Sequence, residues 1–518
     1  MLKVWTREIL QEFVRTKLDG YRLIVVSNRE PYQHRLHEGK ITYSEPAGGV
    51  TAALDPVMRA CGGLWIAHGS GDADRQVVDR RDHVAVPPDN PEYSLRRIWL
   101  SKEEEAGYYG GLSNQGLWPL CHVAFTRPNF DPDHWEMYRR INQRFADAVV
   151  EEANGDPTFV FIQDYHFALL PRMLRNSNAN LVVAQFWHIP WPNAEVFRAF
   201  PWREEILDGL LGNDLLGFHL PNHCQNFLDT VDRSLEARID FANFEAVLRG
   251  HATSVKPFPI GIDFDDHVEI AESDEVTRQM KRWHKELQLD GKLLGVGIDR
   301  LDYTKGIPER LSALHRLLLE NPGYREKLVF VQIAVPSRSS LPAYQQIEEE
   351  VESLTAQINL RWSTESWKPI TLLRENYAVA EMIALHRLAN FCVVTSLHDG
   401  MNLVAKEFAA SRVDEDGVLV LSSFAGAAKE LKDALLVNPF AVEEISAAYR
   451  KALEMPPDER RRRMRKMREN VEQNNVYRWA GTFLSEQVEI DFPDRHDQYP
   501  EFDPHTATYN TRALGVAV

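Results

Sequence analysis

Short, nearly unbroken apolar runs recur along the chain, separated by stretches whose apolar positions return at helical spacing. Arg22-Leu-Ile-Val-Val26, Thr158-Phe-Val-Phe-Ile162, Leu181-Val-Val-Ala-Gln-Phe186 and Leu215-Leu-Gly-Phe218 read as strands buried on both faces. Between them, residues 133–153 keep Trp135, Ile141, Phe145 and Val149 on one broad helical face. Strands alternating with helices predict a parallel sheet. The pattern breaks at Pro257-Phe-Pro-Ile-Gly-Ile-Asp263 and then restarts. Strands are expected at 293–298, 328–334, 390–395 and 417–422, with helices at 307–320, 341–358 and 403–411. Leu341, Tyr344, Ile347, Val351, Leu354 and Ile358 mark one face of the second of these helices. The polar segment 31–46 reads as a surface loop or small hairpin. Trp5, Ile9, Phe13 and Leu18 predict an amphipathic helix ahead of the first strand, packed on its own domain or a partner subunit rather than on a membrane.

Composition narrows the partners. A formal net charge of −17 argues against nucleic acid or an anionic membrane surface, so phosphate-bearing ligands need locally concentrated cations. Cys61, Cys121, Cys224 and Cys392 are widely spaced and read as reduced residues rather than a disulfide framework, which favours the cytoplasm. No apolar run is long enough to span a membrane, and the charged N-terminus lacks a signal-peptide core.

Two loops carry candidate chemistry. Phe391-Cys-Val-Val-Thr395 is a strand that feeds a helix through Ser396-Leu-His-Asp-Gly-Met-Asn-Leu403. Such a turn aims free N–H groups and the positive end of a helix dipole at one place, which attracts phosphate. Asp399 opens the turn, Gly400 frees its backbone, Asn402 is positioned to cap the helix, and Glu407 lies inside it. A carboxylate at each end of a phosphate cradle suits a nucleotide-sugar, one acid for sugar hydroxyls and one for ribose. The same pattern also describes an ordinary capped helix. The second loop, Asp299-Arg-Leu-Asp-Tyr-Thr-Lys-Gly306, places Arg300 and Lys305 where a strand ends and a helix opens with Pro308. Cations there can stabilise a leaving diphosphate without a metal.

Ser27-Asn-Arg29, Gly48-Gly49, Leu117-Trp-Pro119, Asp164-Tyr-His166, His188-Ile-Pro190, residues 300–306, Ser337-Arg338, residues 399–407 and Phe424-Ala-Gly-Ala-Ala428 occur in that order. Together they resemble the trehalose-6-phosphate synthases, a family of retaining glycosyltransferases, over roughly residues 22 to 488. The resemblance implies an α/β fold of two doubly wound, Rossmann-like domains facing a cleft (the GT-B type), which close on substrates. Residues 1–258 would form the acceptor-side domain and 259–474 the nucleotide-sugar domain. Residues 475–488 would be a helix returning to the first domain, and 489–518 a tail.

The same resemblance implies that glucose passes from a nucleotide-diphosphate glucose, UDP-glucose foremost, to glucose 6-phosphate. Glycerol 3-phosphate is the alternative acceptor, and a non-catalytic sugar-phosphate-binding regulator the alternative role. Arg300, Lys305, Asp164 and His188 take catalytic roles. Arg300, Lys305, His188, Asp399, Gly400, Met401, Asn402, Leu403 and Glu407 take donor-binding roles. Arg29, Tyr109, Trp118, Asp164 and Arg338 take acceptor-binding roles. No cofactor or metal is implied. A homo-oligomer is compatible with the sequence, which does not set the assembly state.

Other features read as structural. Asp72-Ala-Asp74 could hold a metal–nucleotide in a different transferase fold, but its polar setting suggests a turn. His219, His223 and Cys224 surround Pro221, which spoils a helical ligand pair. Arg460-Arg-Arg-Arg-Met-Arg-Lys-Met-Arg468 reads as a solvated helix face. Two departures concern substrate geometry: Ala67-His68 stands where the family commonly has Gly-Trp, and His398 replaces an arginine.

Overall fold

The computed structural model describes residues 4–45, 49–177 and 179–491. Gly48 of the Gly48-Gly49 pair, and residues 492–518 of the expected tail, lie outside the described residues. The chain divides into two compact units. The first contains the chain up to Cys121, Arg127–Gly261 and the segment that starts at Asn475; the second contains His122–Thr126 and Ile262–Asn474.

In the first unit the four apolar runs become β1 (Arg22–Arg29), β7 (Thr158–Gln163), β8 (Leu181–Phe186) and β9 (Leu215–Phe218), and β4 (Leu64–His68), β6 (Tyr93–Ile98) and β12 (His251–Pro257), which were not expected, join them in parallel. The segment after β1 forms the hairpin β2 (Gln33–His37) and β3 (Lys40–Ser44). Antiparallel edges are added by β5 (His83–Val86), β10 (Arg238–Asp240) and β11 (Glu245–Leu248), which the hydrophobic pattern did not announce. The order across the sheet is β10-β11-β12-β9-β8-β7-β1-β4-β6-β5. From β1 the chain therefore steps to one side through β4 and β6, then reverses to the other through β7, β8 and β9. Val26 is buried between Ile66 and Ile162, as a strand covered on both faces requires.

The expected helix runs Pro132–Ala153, opened by the Asp131 side chain and Pro132 and closed by left-handed Asn154. Trp135, Ile141, Phe145 and Val149 are all buried. The amphipathic helix is Arg7–Lys17, and it packs within the same unit on the helices Gly49–Cys61 and Val476–Asp491. Asn475 donates to the Trp5 carbonyl at 2.8 Å, and a Cβ on Gly481 would lie 2.2 Å from the Trp5 ring.

The second unit holds β13 (Leu293–Arg300), β14 (Leu328–Val335), β15 (Ile370–Leu373), β16 (Phe391–Val394), β17 (Val418–Ser422) and β18 (Leu435–Val437). All pair in parallel, in the order β15-β14-β13-β16-β17-β18. Numbered in chain order this is the 3-2-1-4-5-6 order of a doubly wound sheet, whose direction reverses between β13 and β16. The helices Ile307–Glu320 and Leu403–Ser411 match the expected bounds, while Pro342–Trp362 runs past its expected end. Tyr344, Ile347, Val351 and Ile358 are buried.

The basic run forms much of the helix Pro457–Gln473 and is docked rather than merely solvated. Arg460 and Arg465 pair with Asp416 and Glu415, and Arg468 donates to the Ala409 carbonyl.

Candidate active site

In open α/β sheets, ligands bind outside the carboxyl ends of the strands where the winding direction reverses. In the second unit that point lies between β13, ending at Arg300, and β16, followed by Thr395. The two loops there are stitched together. Leu397 N–H donates to the Thr304 carbonyl at 2.7 Å, and Lys305 Nζ donates to Asp399 Oδ2 at 2.6 Å. Gly306 is left-handed at φ 63°, and a Cβ there would sit 2.2 Å from the Thr395 carbonyl oxygen, so only glycine permits this approach.

Asp399 is little exposed and surrounded by donors. Besides Lys305, its Oδ2 accepts from Ser396 Oγ and Asn402 Nδ2, each at 3.2 Å. Burial alone would raise the carboxyl, but the Lys305 ammonium beside it holds it well below the usual carboxylate range. The turn is laced from behind by residues 424–427: Asp399 N donates to Phe424 O, Gly426 N to Asp399 O and Ala427 N to Met401 O. Asn402 has positive φ at 73°, and its side chain caps Leu403–Ser411, as expected, by accepting from Ala405 N. Met401 is buried and Leu403 is half-buried at the helix start. Inside that helix, burial pushes the Glu407 carboxyl up to about 7. Arg300 is half-buried at the end of β13, in register with Val335.

Arg338, three residues beyond β14, has left-handed backbone at φ 53° and a guanidinium facing Asp302 and Tyr344. His398 Nδ1–H donates to the His122 carbonyl at 2.7 Å, so the residue in the arginine's place fastens the segment His122–Thr126 to this unit.

The first unit shows the same logic. Its winding reverses between β1, ending at Arg29, and β7, followed by Asp164. Arg29 Nη2 donates to the Tyr109 hydroxyl at 3.2 Å, and the Tyr109 ring stacks on His166. Tyr109 lies in a wide π-helical stretch, Ala106–Leu117, and Trp118 follows with its ring 5.9 Å from that of Tyr165.

Asp164 adopts φ 72° and ψ 176°, a region that other residues rarely enter. Three hydrogen bonds hold it there. Its N–H donates to Phe186 O at 2.7 Å, its carbonyl accepts from Gln185 Nε2 at 3.0 Å, and its Oδ1 accepts from His188 N at 3.1 Å. The His188 ring pairs through Nε2 with Gln163 Oε1 at 2.9 Å, and burial lowers its pKa to about 3, leaving a neutral imidazole at ordinary pH. His68 ends β4 in register with Arg29, so the departure from Gly-Trp sits one strand from the arginine; burial lowers its pKa as well.

Asp72 and Ala73 form the expected turn, closed by Asp74 N donating to Gly71 O at 3.2 Å, and both carboxylates have structural partners. Asp74 is fully buried, accepts from His34 N at 2.8 Å and pairs with Arg97, while Asp72 accepts from Leu36 N. His219 donates to the His188 carbonyl. Among the described residues, no group of three or more His, Cys, Asp or Glu could hold a metal ion.

Gln163, Asp302 and Tyr344 were not singled out as site residues by sequence reasoning. Gln163 directly precedes the motif at Asp164 and Asp302 lies inside the loop 299–306, but Tyr344 carried no signal beyond its place on a buried helix face.

A model of glycosyltransferase family 20 matches residues 21–489. The trehalose-6-phosphate synthase of Mycobacterium ulcerans is 39% identical over 89% of this chain and 92% of its own length; that of Mycobacterium tuberculosis H37Rv is 39% identical over 89% and 93%. Among solved structures, an α,α-trehalose-phosphate synthase (UDP-forming) from Burkholderia xenovorans, in complex with glucose 6-phosphate, aligns with a TM-score of 0.81 at 32% identity, covering 90% of this chain and 99% of that one. The Escherichia coli protein bound with UDP-2-fluoro glucose aligns with a TM-score of 0.80 at 32% identity, covering 90% and 98%.

Proposed function

This chain belongs to glycosyltransferase family 20, and from that premise we propose that it transfers glucose from UDP-glucose to the anomeric hydroxyl of glucose 6-phosphate with retention, giving α,α-trehalose 6-phosphate. The first unit, with its returning helix, serves the acceptor and the second the nucleotide-sugar. The relatives' complexes with glucose 6-phosphate and with a UDP-glucose analogue support both substrates.

Arg300, Lys305 and the N–H groups at the start of Leu403–Ser411 hold the diphosphate. Asp399 accepts from donor-sugar hydroxyls, and Glu407 from the ribose. Arg29, Tyr109 and Arg338 grip the acceptor phosphate; Trp118 walls the acceptor sugar and Asp164 binds it. His188, neutral, offers a hydrogen bond to the donor sugar rather than a charge.

The donor's C1–O bond to phosphate breaks while a new bond forms on the same face between the donor's C1 and the acceptor's anomeric oxygen. The acceptor's hydroxyl proton passes to the leaving phosphate oxygen, so no protein carboxylate forms a covalent intermediate. Charge grows on that oxygen in the transition state, and fixed cations and aligned N–H groups stabilise it without reorganising.

The observation that carries this reading is the meeting of Lys305, Asp399 and a capped helix N-terminus at the reversal point of the second sheet. No described helix is long and apolar enough to cross a membrane, and four free cysteines support a cytoplasmic site of action. The test is kcat/KM for an acceptor panel with UDP-glucose. Glucose 6-phosphate is expected to lead, and a preference for glycerol 3-phosphate would overturn the assignment.

A further inference from the structure

Asp302 lies in the loop that carries Arg300 and Lys305 and is fully buried. Its two oxygens face different partners. Oδ1 accepts from Thr304 N at 3.0 Å and Thr304 Oγ1 at 2.9 Å, and so fixes the turn Tyr303–Lys305. Oδ2 lies 3.5 Å from Arg338 Nη1 and accepts from the Tyr344 hydroxyl at 3.2 Å. That hydroxyl in turn accepts from Arg338 Nη1, so guanidinium, phenol and carboxylate form a closed triangle. A hydroxyl that donates to an anion is a better acceptor for a cation, which strengthens each side of the triangle.

Charge agrees with this geometry. Burial alone would raise the Asp302 carboxyl, yet the cationic groups of Arg338, Arg300 and Lys305 bring it below its ordinary value. Arg338 is constrained at its backbone too. It is left-handed and starts a turn in which Leu341 N donates to its carbonyl at 2.9 Å. A long side chain pinned at both ends loses less freedom when it meets a phosphate.

We propose that Asp302 is a positioning residue that couples the two substrates, aiming Arg338 with one carboxylate oxygen and fixing the Lys305 turn with the other. It rests on the reading in which Arg338 meets the acceptor phosphate and Lys305 the donor diphosphate. A diphosphate held by Arg300 and Lys305 tightens the 303–305 turn, which fixes Asp302 and hence Arg338. Coupling of this kind is reciprocal between ligands.

The experiment measures glucose 6-phosphate affinity by calorimetry with and without saturating UDP, and UDP affinity alone. Wild type, Asp302→Asn, Tyr344→Phe, Arg338→Ala and the Asp302→Asn/Arg338→Ala double variant are compared. UDP is expected to tighten glucose 6-phosphate binding in the wild type by about fivefold or more, the low end of ordinary coupling. Asp302→Asn should weaken glucose 6-phosphate about tenfold and largely abolish the UDP effect, as loss of a charged hydrogen bond implies. It should change UDP affinity far less. Tyr344→Phe acts in the same direction with smaller size, and carries the test alone if Asp302→Asn does not fold.

In the Arg338→Ala background, Asp302→Asn should have no further effect on glucose 6-phosphate. An equal loss in both backgrounds, or an unchanged UDP effect in Asp302→Asn or Tyr344→Phe, overturns the proposal. If Arg338→Ala alone leaves glucose 6-phosphate affinity intact, the substrate reading beneath it fails first.

Discussion

Lys305 Nζ donates to Asp399 Oδ2 at 2.6 Å, joining the ends of β13 and β16 where the second sheet reverses its winding. A group expected to hold the diphosphate and one expected to hold the sugar are therefore an ion pair with each other. Each side chain is little exposed, at 12% and 14%. The pair sets the local geometry as well as the chemistry.

Lys305→Ala is expected to lower turnover by about 10²–10³-fold, the usual effect of removing a preorganised charge stabiliser. It should also cost about 3–5 kcal/mol of stability, because it leaves a buried carboxylate without its cation. Adding Asp399→Ala should recover part of the stability and none of the turnover. Denaturant unfolding measured alongside kcat separates the two effects. Unchanged turnover in Lys305→Ala and Arg300→Ala would remove both residues from the mechanism.

Glu407 predicts a pH dependence. Burial has pushed its carboxyl up to about 7, so it is only partly ionised at neutral pH. Ribose hydroxyls donate to the carboxylate form, so binding favours ionisation and releases a proton. Affinity for UDP-glucose should therefore rise as pH rises from 6 to 8, and Glu407→Gln should flatten that rise. His188, lowered to about 3, does not titrate in this window. Calorimetry in buffers of different ionisation enthalpy reads the proton directly, and uptake rather than release would contradict the assignment.

Arg29 and Tyr109 share a hydrogen bond at the end of β1, which suits joint capture of a phosphate. Arg29→Ala should raise KM for glucose 6-phosphate roughly ten- to a hundredfold, corresponding to about 1.5–3 kcal/mol. Tyr109→Phe should cost less, about 0.5–1.5 kcal/mol. KM for UDP-glucose should change little in either variant, and an equal rise for both substrates would argue for general disruption.

Chelator treatment should leave most activity intact, since Arg300, Lys305 and the helix N-terminus supply charge at the diphosphate. Asp74, the metal candidate of the Asp72–Asp74 pair that is fully buried, is already paired with Arg97. Loss of activity with EDTA, restored by magnesium or manganese, would contradict this.

Much of this fold was legible because strands buried on both faces are apolar throughout. That is why β1, β7, β8, β13 and β14 stood out, and why Ile307–Glu320 followed from Pro308 and its apolar spacing. Short edge strands such as β5, of four residues, and β10, of three, are too brief and too little buried to give such a signal. The stretch Ala106–Leu117 is glycine-rich and carries no helical apolar spacing, yet it forms the wide helix that places Tyr109. Site charges could be named individually from motifs, but their pairing could not. Asp302 meets Tyr344 across 42 positions and Lys305 meets Asp399 across 94, contacts that only the parallel topology creates. Asn402, not Gly400, carries the positive φ of this turn, and its side chain caps the helix and braces Asp399.

The most direct test of the central claim is the structure of the product formed from UDP-glucose and glucose 6-phosphate. Proton and carbon NMR of the purified sugar phosphate should show two α-configured anomeric centres joined to each other and no reducing end, with one UDP released per product. A β-configured linkage, a reducing disaccharide, or hydrolysis of UDP-glucose without transfer would contradict it.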